Sequence, residues 1–368
     1  MDNKKFMRQA LELSLKAKGL TSPNPLVGAL VVRNGKVISR GFHKKAGSQH
    51  AEIEALNKAG EKAKNATLYV TLEPCSTFGR TPPCTDLIIK KGIKKVVVGM
   101  VDPNPSHKGN GLRVLKKSKI EIVSGVLKDE IARENQPFIK YITKGLPYVT
   151  VKIAQSIDGK IATKTGESKW ITSKASRGIS HKLRNNFDAI VVGINTVLKD
   201  NPLLNPLNAR KNKSFYKIVA DTNLKILNNL RIFKDSKQFP VIVATAKENI
   251  LRNKHKISKL IKKGAIILGV NKKKDCLDLN DLLKSLSKFK FSNILVEGGG
   301  KLIGSFLDNN LVDFMYVFIA AKIIGGEKAI SSIQGEGLNN LACAKEIKDL
   351  NFTRIGSDLL LKGRIKEY

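Results

Sequence analysis

Apolar residues recur at helical spacing from residue 5 to 18, at Phe6, Leu11, Leu13, Leu15 and Ala17, and predict an opening amphipathic helix. Pro23 and Pro25 mark a turn, after which the apolar run Val27-Gly28-Ala29-Leu30-Val31-Val32 leads into Asn34-Gly35, a dipeptide suited to a two-residue hairpin. The order these signals predict is helix, strand, hairpin, strand. A helix over 50–59, a strand over 67–72, a helix over 84–91 and a strand over 95–100 follow from the same reasoning. Helices alternating with short apolar strands indicate an α/β layer domain. It is expected to close at about residue 145, where a turn through Gly145 and Pro147 precedes a new strand over 148–154. In the second domain, 146–368, runs at 189–192, 217–220, 241–244, 265–268, 294–296 and 314–319 have strand length and β-branched content, with helical stretches between several of them. They predict a second α/β domain.

A length of 368 residues suits two domains at roughly 150 residues each. With 42% hydrophobic residues the chain is too apolar to be disordered. Its charge is the unusual item: 66 basic residues face 31 acidic ones, a net +35. Such a surplus suggests nucleic acid or an anionic membrane. The 53 lysines, however, are evenly spread, with seven in each of the first five blocks of fifty residues, and arginines number only 13. That distribution reads as solvated surface, because nucleic-acid sites cluster their cations and interleave aromatics. No nucleic acid and no membrane is expected as partner. The start Met1-Asp2-Asn3-Lys4-Lys5 runs straight into the first helix pattern, and no apolar run reaches eighteen residues, so a cytoplasmic protein is expected. Four cysteines are too few for a disulfide scaffold.

Two of those cysteines fall in a pattern with chemical content. His50-Ala51-Glu52 opens a predicted helix, Glu73-Pro74-Cys75 follows a predicted strand, and Cys84 opens the next helix. This is the arrangement of zinc-dependent nucleobase deaminases. One neutral imidazole (His50) and two thiolates (Cys75, Cys84) balance a dication and leave a fourth tetrahedral position for a water. Metal binding lowers that water's pKa from about 15.7 towards about 7. Glu52 then carries protons without ligating the metal. His50 and Glu52 can serve one centre only from a first helical turn, where the helix dipole also favours anionic ligands. Eight residues separate the cysteines, 76–83, whereas base-editing enzymes place two there. A loop with Gly79 and Arg80 beside the metal suits a phosphorylated small molecule.

Taken together, these residues resemble the bifunctional riboflavin-biosynthesis deaminase/reductase family. Five of its deaminase motifs occur in order: Pro-Asn-Pro-x-Val-Gly at 23–28, Gly-x-His at Gly41 and His43, Ala-Gly-x-x-His-Ala-Glu at 46–52, Gly-Arg-Thr-Pro-Pro-Cys at 79–84, and Asp-Pro-Asn-Pro at 102–105. The resemblance implies a cytidine-deaminase-like α/β/α layer domain with zinc at its centre. It also implies that Asn24, His43, Arg80, Asp102 and Asn104 surround the pyrimidine and its ribose phosphate.

Unaided, the second half says less. Residues 292–304 read as a strand, a Gly-rich turn and a helix, where bare glycines can let backbone N–H groups approach a phosphate. The dinucleotide fingerprint Gly-x-Gly-x-x-Gly is absent. The same family resemblance extends here through Lys152-x-x-x-Ser156-x-Asp158-Gly159, Gly-Glu-Ser-x-Trp-Ile-Thr at 166–172, Arg184, Gly-x-x-Thr-Val-x-x-Asp-x-Pro at 193–202, and Val-Glu-Gly-Gly at 296–299. It implies a dihydrofolate-reductase-like α/β domain that uses NADPH. Ala154, Trp170, Thr196, Asp200, Gly299, Gly300, Lys301, Leu302, Ile303, Gly304 and Ser305 are implied to touch the cofactor. Ser168, Arg184, Leu204 and Glu297 are implied to face substrate, with Lys152 at the sugar carbon that receives hydride. One departure stands out: Leu207 occupies the position where the family pattern leads one to expect an Arg that clamps phosphate. A rearranged Arg210 is one substitute. An alternative reading is a deaminase whose C-terminal domain is impaired in reduction. A homo-oligomer is expected.

Overall fold

Gly28 explains how the first layer forms. The computed structural model, which describes residues 2–78, 82–209 and 213–368, places helix α1 (Asn3–Leu15) so close to strand β1 (Gly28–Arg33) that a Cβ on Gly28 would lie 2.0 Å from the Ala10 carbonyl oxygen. The helix therefore buries Phe6, Met7, Ala10, Leu11 and Ser14. Leu13 and Leu15, expected on the inner stripe, are only half-buried, and Ala17 lies beyond the helix. Small residues, rather than large apolar ones, let the helix approach the sheet. Ser14 tolerates burial because its hydroxyl donates to the Leu11 carbonyl at 2.6 Å.

The chain divides into two compact units, Met1–Gly145 and Leu146–Tyr368. The first adds strands β2 (Lys36–Phe42), β3 (Thr67–Leu72), β4 (Lys95–Met100) and β5 (Glu121–Ser124). Their order is β2-β1-β3-β4-β5, antiparallel from β2 to β3 and parallel from β3 to β5. Helices α2 (Ala51–Ala59), α3 (Cys84–Lys90), α4 (Asn110–Lys117), α5 (Lys128–Glu134) and α6 (Gln136–Lys144) complete it. Of these, α2 and α3 and strands β1 to β4 match the sequence pattern. The later elements lacked a strong periodic signal, since β5 is four residues long and half or fully exposed. The carboxyl ends of the parallel strands β3 and β4 lead directly into Glu73–Cys75 and Asp102–Asn104, the edge where open α/β sheets place their ligands.

The second unit is built on β6 (Tyr148–Ser156), β7 (Lys160–Ala162), β8 (Ala189–Gly193), β9 (Tyr216–Ala220), β10 (Val241–Ala246), β11 (Ala265–Val270), β12 (Lys272–Lys273), β13 (Cys276–Leu277), β14 (Asn293–Glu297), β15 (Phe314–Ala320), β16 (Ile330–Ser331), β17 (Lys348–Ile355) and β18 (Asp358–Arg364). Helices α7 (Lys174–Leu183), α8 (Ile194–Asp200), α9 (Lys247–Arg252), α10 (Lys254–Lys262), α11 (Leu279–Ser287) and α12 (Gly300–Asp308) accompany them. Nine strands form the main sheet in the order β11-β10-β9-β8-β14-β6-β15-β18-β17. Pairing is parallel from β11 to β15 and antiparallel beyond it. Both faces are packed: along β8, Ala189 and Val191 join one apolar cluster while Ile190 and Val192 join the other. Double burial of this kind explains why these strands read as unbroken apolar runs. Strand β17 had no such run, because all its residues except Ile355 are exposed. No helix among the described residues is long and apolar enough to cross a membrane.

Candidate active sites

His50 is the N-cap of α2 and Glu52 lies in its first turn, while Cys84 begins α3 and Cys75 follows β3. Helix α2 is seated by Gly41, whose added Cβ would fall 2.3 Å from the Ala51 carbonyl oxygen. Its glycine thus lets β2 run against the start of α2 and puts His43 and His50 edge to face at 5.8 Å. The His50 Nδ1 atom is 3.2 Å from Cys84 Sγ and 3.6 Å from Cys75 Sγ, and the ligand atoms of all three lie within 4.8 Å of one another. Tetrahedral zinc with bonds of about 2.0–2.3 Å sets nitrogen and sulfur about 3.6 Å apart. The donor set fits one such ion. A hydrogen bond from Cys84 holds Cys75 down to about 4, and the same contact plus burial pushes Cys84 up. The Cys84 backbone N–H also donates to Cys75 Sγ at 3.4 Å.

Glu52 is buried, and burial raises its carboxyl above the ordinary carboxylate range; it is hydrogen-bonded to Cys84. The buried His43 has a determined tautomer. Its Nδ1 faces the Gln49 carbonyl at 3.1 Å and must donate, so its Nε2 accepts from the Asn24 amide at 3.1 Å. Burial lowers its pKa, which keeps the ring neutral. Asp102 and Asn104 lie half-buried at the end of β4, and Asp102 Oδ1 accepts from the Asn104 backbone N–H at 2.9 Å. Burial raises the Asp102 carboxyl. Arg80 lies outside the described residues, as does Arg210.

In the second unit the parallel register sets Lys152 of β6 beside Glu297 of β14. Lys152 Nζ lies 3.1 Å from Glu297 Oε2. From the turn after α7, Arg184 grips the same carboxylate with Nε on Oε1 and Nη2 on Oε2, both at 3.1 Å. Burial pushes the Glu297 carboxyl up, but Arg184 and Lys152 outweigh it and hold the group at about 2. The third Arg184 nitrogen, Nη1, donates to the Asn205 carbonyl at 3.1 Å, which secures the segment holding Leu204 and Leu207. The Leu204 side chain belongs to an apolar cluster, so only its backbone can meet a ligand. Leu207 is exposed; its N–H donates to the His181 carbonyl and its own carbonyl accepts from Asn185 Nδ2. His181, which the sequence reading passed over, is within electrostatic reach of Arg184, Glu297, Lys152 and Arg177, and burial followed by Arg184 lowers its pKa.

The Gly-rich turn divides its work. Gly298 has φ 118° and Gly299 N donates to Thr196 Oγ1 at 3.2 Å. A Cβ on Gly300 would meet the Ser331 carbonyl at 2.4 Å, and one on Gly304 the Gln334 carbonyl at 1.2 Å. These two glycines admit the chain's own backbone. Ile303 packs into the core, whereas Lys301 is exposed and Leu302 and Ser305 are half-buried. Trp170 is exposed beneath the Arg177 guanidinium at 4.3 Å; Ala154, Ser168 and Asp200 are half-buried. The backbone N–H groups at the start of α12 and the Thr196 hydroxyl can hold an anionic cofactor phosphate.

Comparison with known proteins now bears on both units. Residues 1–100 match the family model for the cytidine and deoxycytidylate deaminase zinc-binding region, and residues 147–361 match that for the RibD C-terminal domain. The chain belongs to the RibD family. It is 43% identical over 359 residues to the riboflavin biosynthesis protein RibD of Aquifex aeolicus, covering 98% of this chain and 97% of that one. Its structure resembles RibD of Acinetobacter baumannii, with a TM-score of 0.87, 34% identity and 98% coverage of each chain. A further neighbour is a diaminohydroxyphosphoribosylaminopyrimidine deaminase/5-amino-6-(5-phosphoribosylamino)uracil reductase from Thermotoga maritima, with a TM-score of 0.82, 36% identity and 98% coverage of each. Like its family, the chain is a bifunctional enzyme of riboflavin biosynthesis, a zinc-dependent deaminase joined to an NADPH-dependent reductase.

Proposed function

We propose that residues 1–145 hydrolytically deaminate a 2,5-diamino-6-(phosphoribosylamino)pyrimidinone and that residues 146–368 then reduce its ribosyl group to ribityl. The observation that carries the first step is the convergence of His50, Cys75 and Cys84 next to the buried Glu52 carboxyl. Zinc bound by those three residues supplies a positive charge that lowers the pKa of a water towards about 7. Glu52 takes the water's proton and delivers it to the ring nitrogen, then carries the proton of the hydroxyl added to carbon to the amine, which departs as ammonia as the carbonyl forms; its raised pKa brings it nearer the operating pH, as general acid–base work requires. Asn24, neutral His43, Asp102, Asn104 and Arg80 are assigned to the pyrimidine and its phosphate.

NADPH supplies the hydride of the second step. Ala154, Trp170, Thr196, Asp200 and residues 299–305 are assigned to hold it, Ile303 and Gly304 through their backbones. Ser168, Arg184, Leu204 through its backbone, and Glu297 are assigned to the substrate, and Lys152, whose Nζ is held 3.1 Å from Glu297 Oε2, is assigned to the sugar carbon that receives hydride. The test is incubation of purified protein with the pyrimidine, with and without NADPH, followed by mass spectrometry. Loss of an amino group for oxygen is expected in both, and gain of two hydrogens only with NADPH. Gain of hydrogen without deamination, or none at all, contradicts the sequence of steps.

We also propose a homo-oligomer, for which the exposed edge strand β17 with Phe352 72% and Leu350 54% exposed is the support; a monomeric mass in sedimentation equilibrium refutes it. A cytoplasmic setting is supported by Cys75 and Cys84, which must stay reduced to bind metal. Fractionation of cells producing the protein tests it, and recovery outside the cytoplasm overturns it.

A further inference from the structure

Glu73 follows the end of β3, one residue before Pro74 and two before the metal ligand Cys75, and has no task in the deamination chemistry. Its side chain is buried at 5% exposure. The carboxylate accepts from four backbone donors on one segment: Oε2 from Asp102 N at 3.1 Å and Gly109 N at 3.0 Å, and Oε1 from Gly111 N at 2.8 Å and Leu112 N at 3.4 Å. Its own N–H donates to the Met100 carbonyl at 2.9 Å. One side chain thus closes residues 102–112 at both ends. Inside the loop, Asp102 Oδ1 accepts from Asn104 N and Asn104 Oδ1 from Ser106 N. The start of α4 also touches the segment carrying Cys75, since a Cβ on Gly111 would fall 2.0 Å from the Pro74 carbonyl oxygen.

A buried carboxylate can satisfy several N–H donors at once, which no neutral side chain of its size does. The four donors here come from backbone that has no helix or strand partner at those positions to replace Glu73. Without these bonds residues 102–109, which lead into the first turn of α4, would sample many conformations, and each costs affinity when a ligand must select one.

We propose that Glu73 is a positioning residue for deamination: it fixes the segment carrying Asp102 and Asn104 against the Cys75 loop and thereby sets how tightly the pyrimidine is held. It touches neither metal nor substrate. The inference rests on the assignment of Asp102 and Asn104 to the substrate. In Glu73→Gln one acceptor oxygen becomes an NH₂ that points at backbone donors, so the loop loses two of its anchors.

The experiment uses the full-length, zinc-loaded enzyme and steady-state kinetics of each activity. Glu73→Gln is expected to raise the deaminase KM about 10- to 100-fold, the range for loss of hydrogen bonds to a charged group, with kcat changed less than about threefold. Zinc stays at one per chain, and reduction of the deaminated intermediate is unchanged. In an Asp102→Asn background the same substitution should raise KM much less, because it acts through a residue already altered. An unchanged KM, a loss confined to kcat, or additive effects in the double variant overturns the proposal. If Glu73→Gln fails to retain zinc, Glu73→Asp, which keeps the charge but withdraws it by one methylene, is expected to show the same KM rise in milder form, and failure to do so is equally decisive. If Asp102→Asn alone leaves KM untouched, the substrate assignment of Asp102 falls, and the proposal falls with it; if Asp102→Asn raises KM and Glu73→Gln does not, only the role of Glu73 falls.

Discussion

Replacing Glu297 with Gln removes one negative charge from between Arg184 and Lys152 and leaves the side chain's shape intact, and the reductase unit should lose about 3 kcal/mol of stability at neutral pH. The magnitude follows from two lines. Burial pushes the carboxyl up, but the two cations hold it at about 2 against an ordinary 4.5; at about 1.36 kcal/mol per tenfold that difference amounts to about 3 kcal/mol. From geometry, each 3.1 Å contact contributes about 5 kcal/mol at an effective dielectric constant of about 20, and the desolvation of the ions, several kcal/mol each, offsets much of it. Because the folded-state pKa is depressed, the stabilisation is present above about pH 4.5 and is lost as the pH falls towards 2. Calorimetry of the full chain should show the transition that NADPH shifts upward falling by roughly 6–12 °C in the variant at pH 7. The gap should narrow to roughly half near pH 3. A shift under about 2 °C at pH 7, or a gap that does not depend on pH, refutes the reasoning.

Three other outcomes follow from the sites. Glu52→Gln should keep zinc, measured by metal analysis, and lose about 10²–10⁴-fold in deaminase kcat; a variant above about a tenth of the parent rate contradicts proton transfer by this group. Cys75→Ser should abolish zinc retention, and a chelator should lower the deaminase transition of the parent by about 4 kcal/mol relative to zinc at about a thousand times its dissociation constant, with the reductase transition unmoved. Leu207→Arg places a guanidinium on an exposed position beside the Arg184-anchored segment and should lower the reductase KM for the phosphorylated substrate about tenfold. An unchanged KM would show that another cation already holds the phosphate.

The zinc centre was legible because its chemistry is compressed into short motifs. His50 and Glu52 are two residues apart and Cys84 opens a helix, so the helix pattern together with the spacing of the motif placed them in first turns. The nine-stranded sheet was legible in its parallel part, where double burial writes unbroken apolar runs. Its edge hairpin was not, because β17 is exposed on both faces and carries no such run. The stripe on α1 was misjudged at Leu13 and Leu15 for a related reason: what selects the buried face is the close approach to Gly28, a contact eighteen residues from Ala10.

Residue types, their spacing and the helix or strand that carries them are local properties, and from them the chain alone pointed to two α/β units and to a converging His-Cys-Cys set with a Glu beside it. Tertiary structure decided what depends on partners distant in sequence. The register of β6 on β14 turned Lys152 and Glu297 into an ion pair, and strand order brought Arg184 to the same carboxylate across 113 positions. It turned Gly300 and Gly304 into seats for the 331–334 backbone and Leu204 into a core residue. It also gave Glu73 four donors 29 to 39 positions away. Hydrogen bonds and charges act over a few ångströms in space, and only the folded chain says which residues those few ångströms contain.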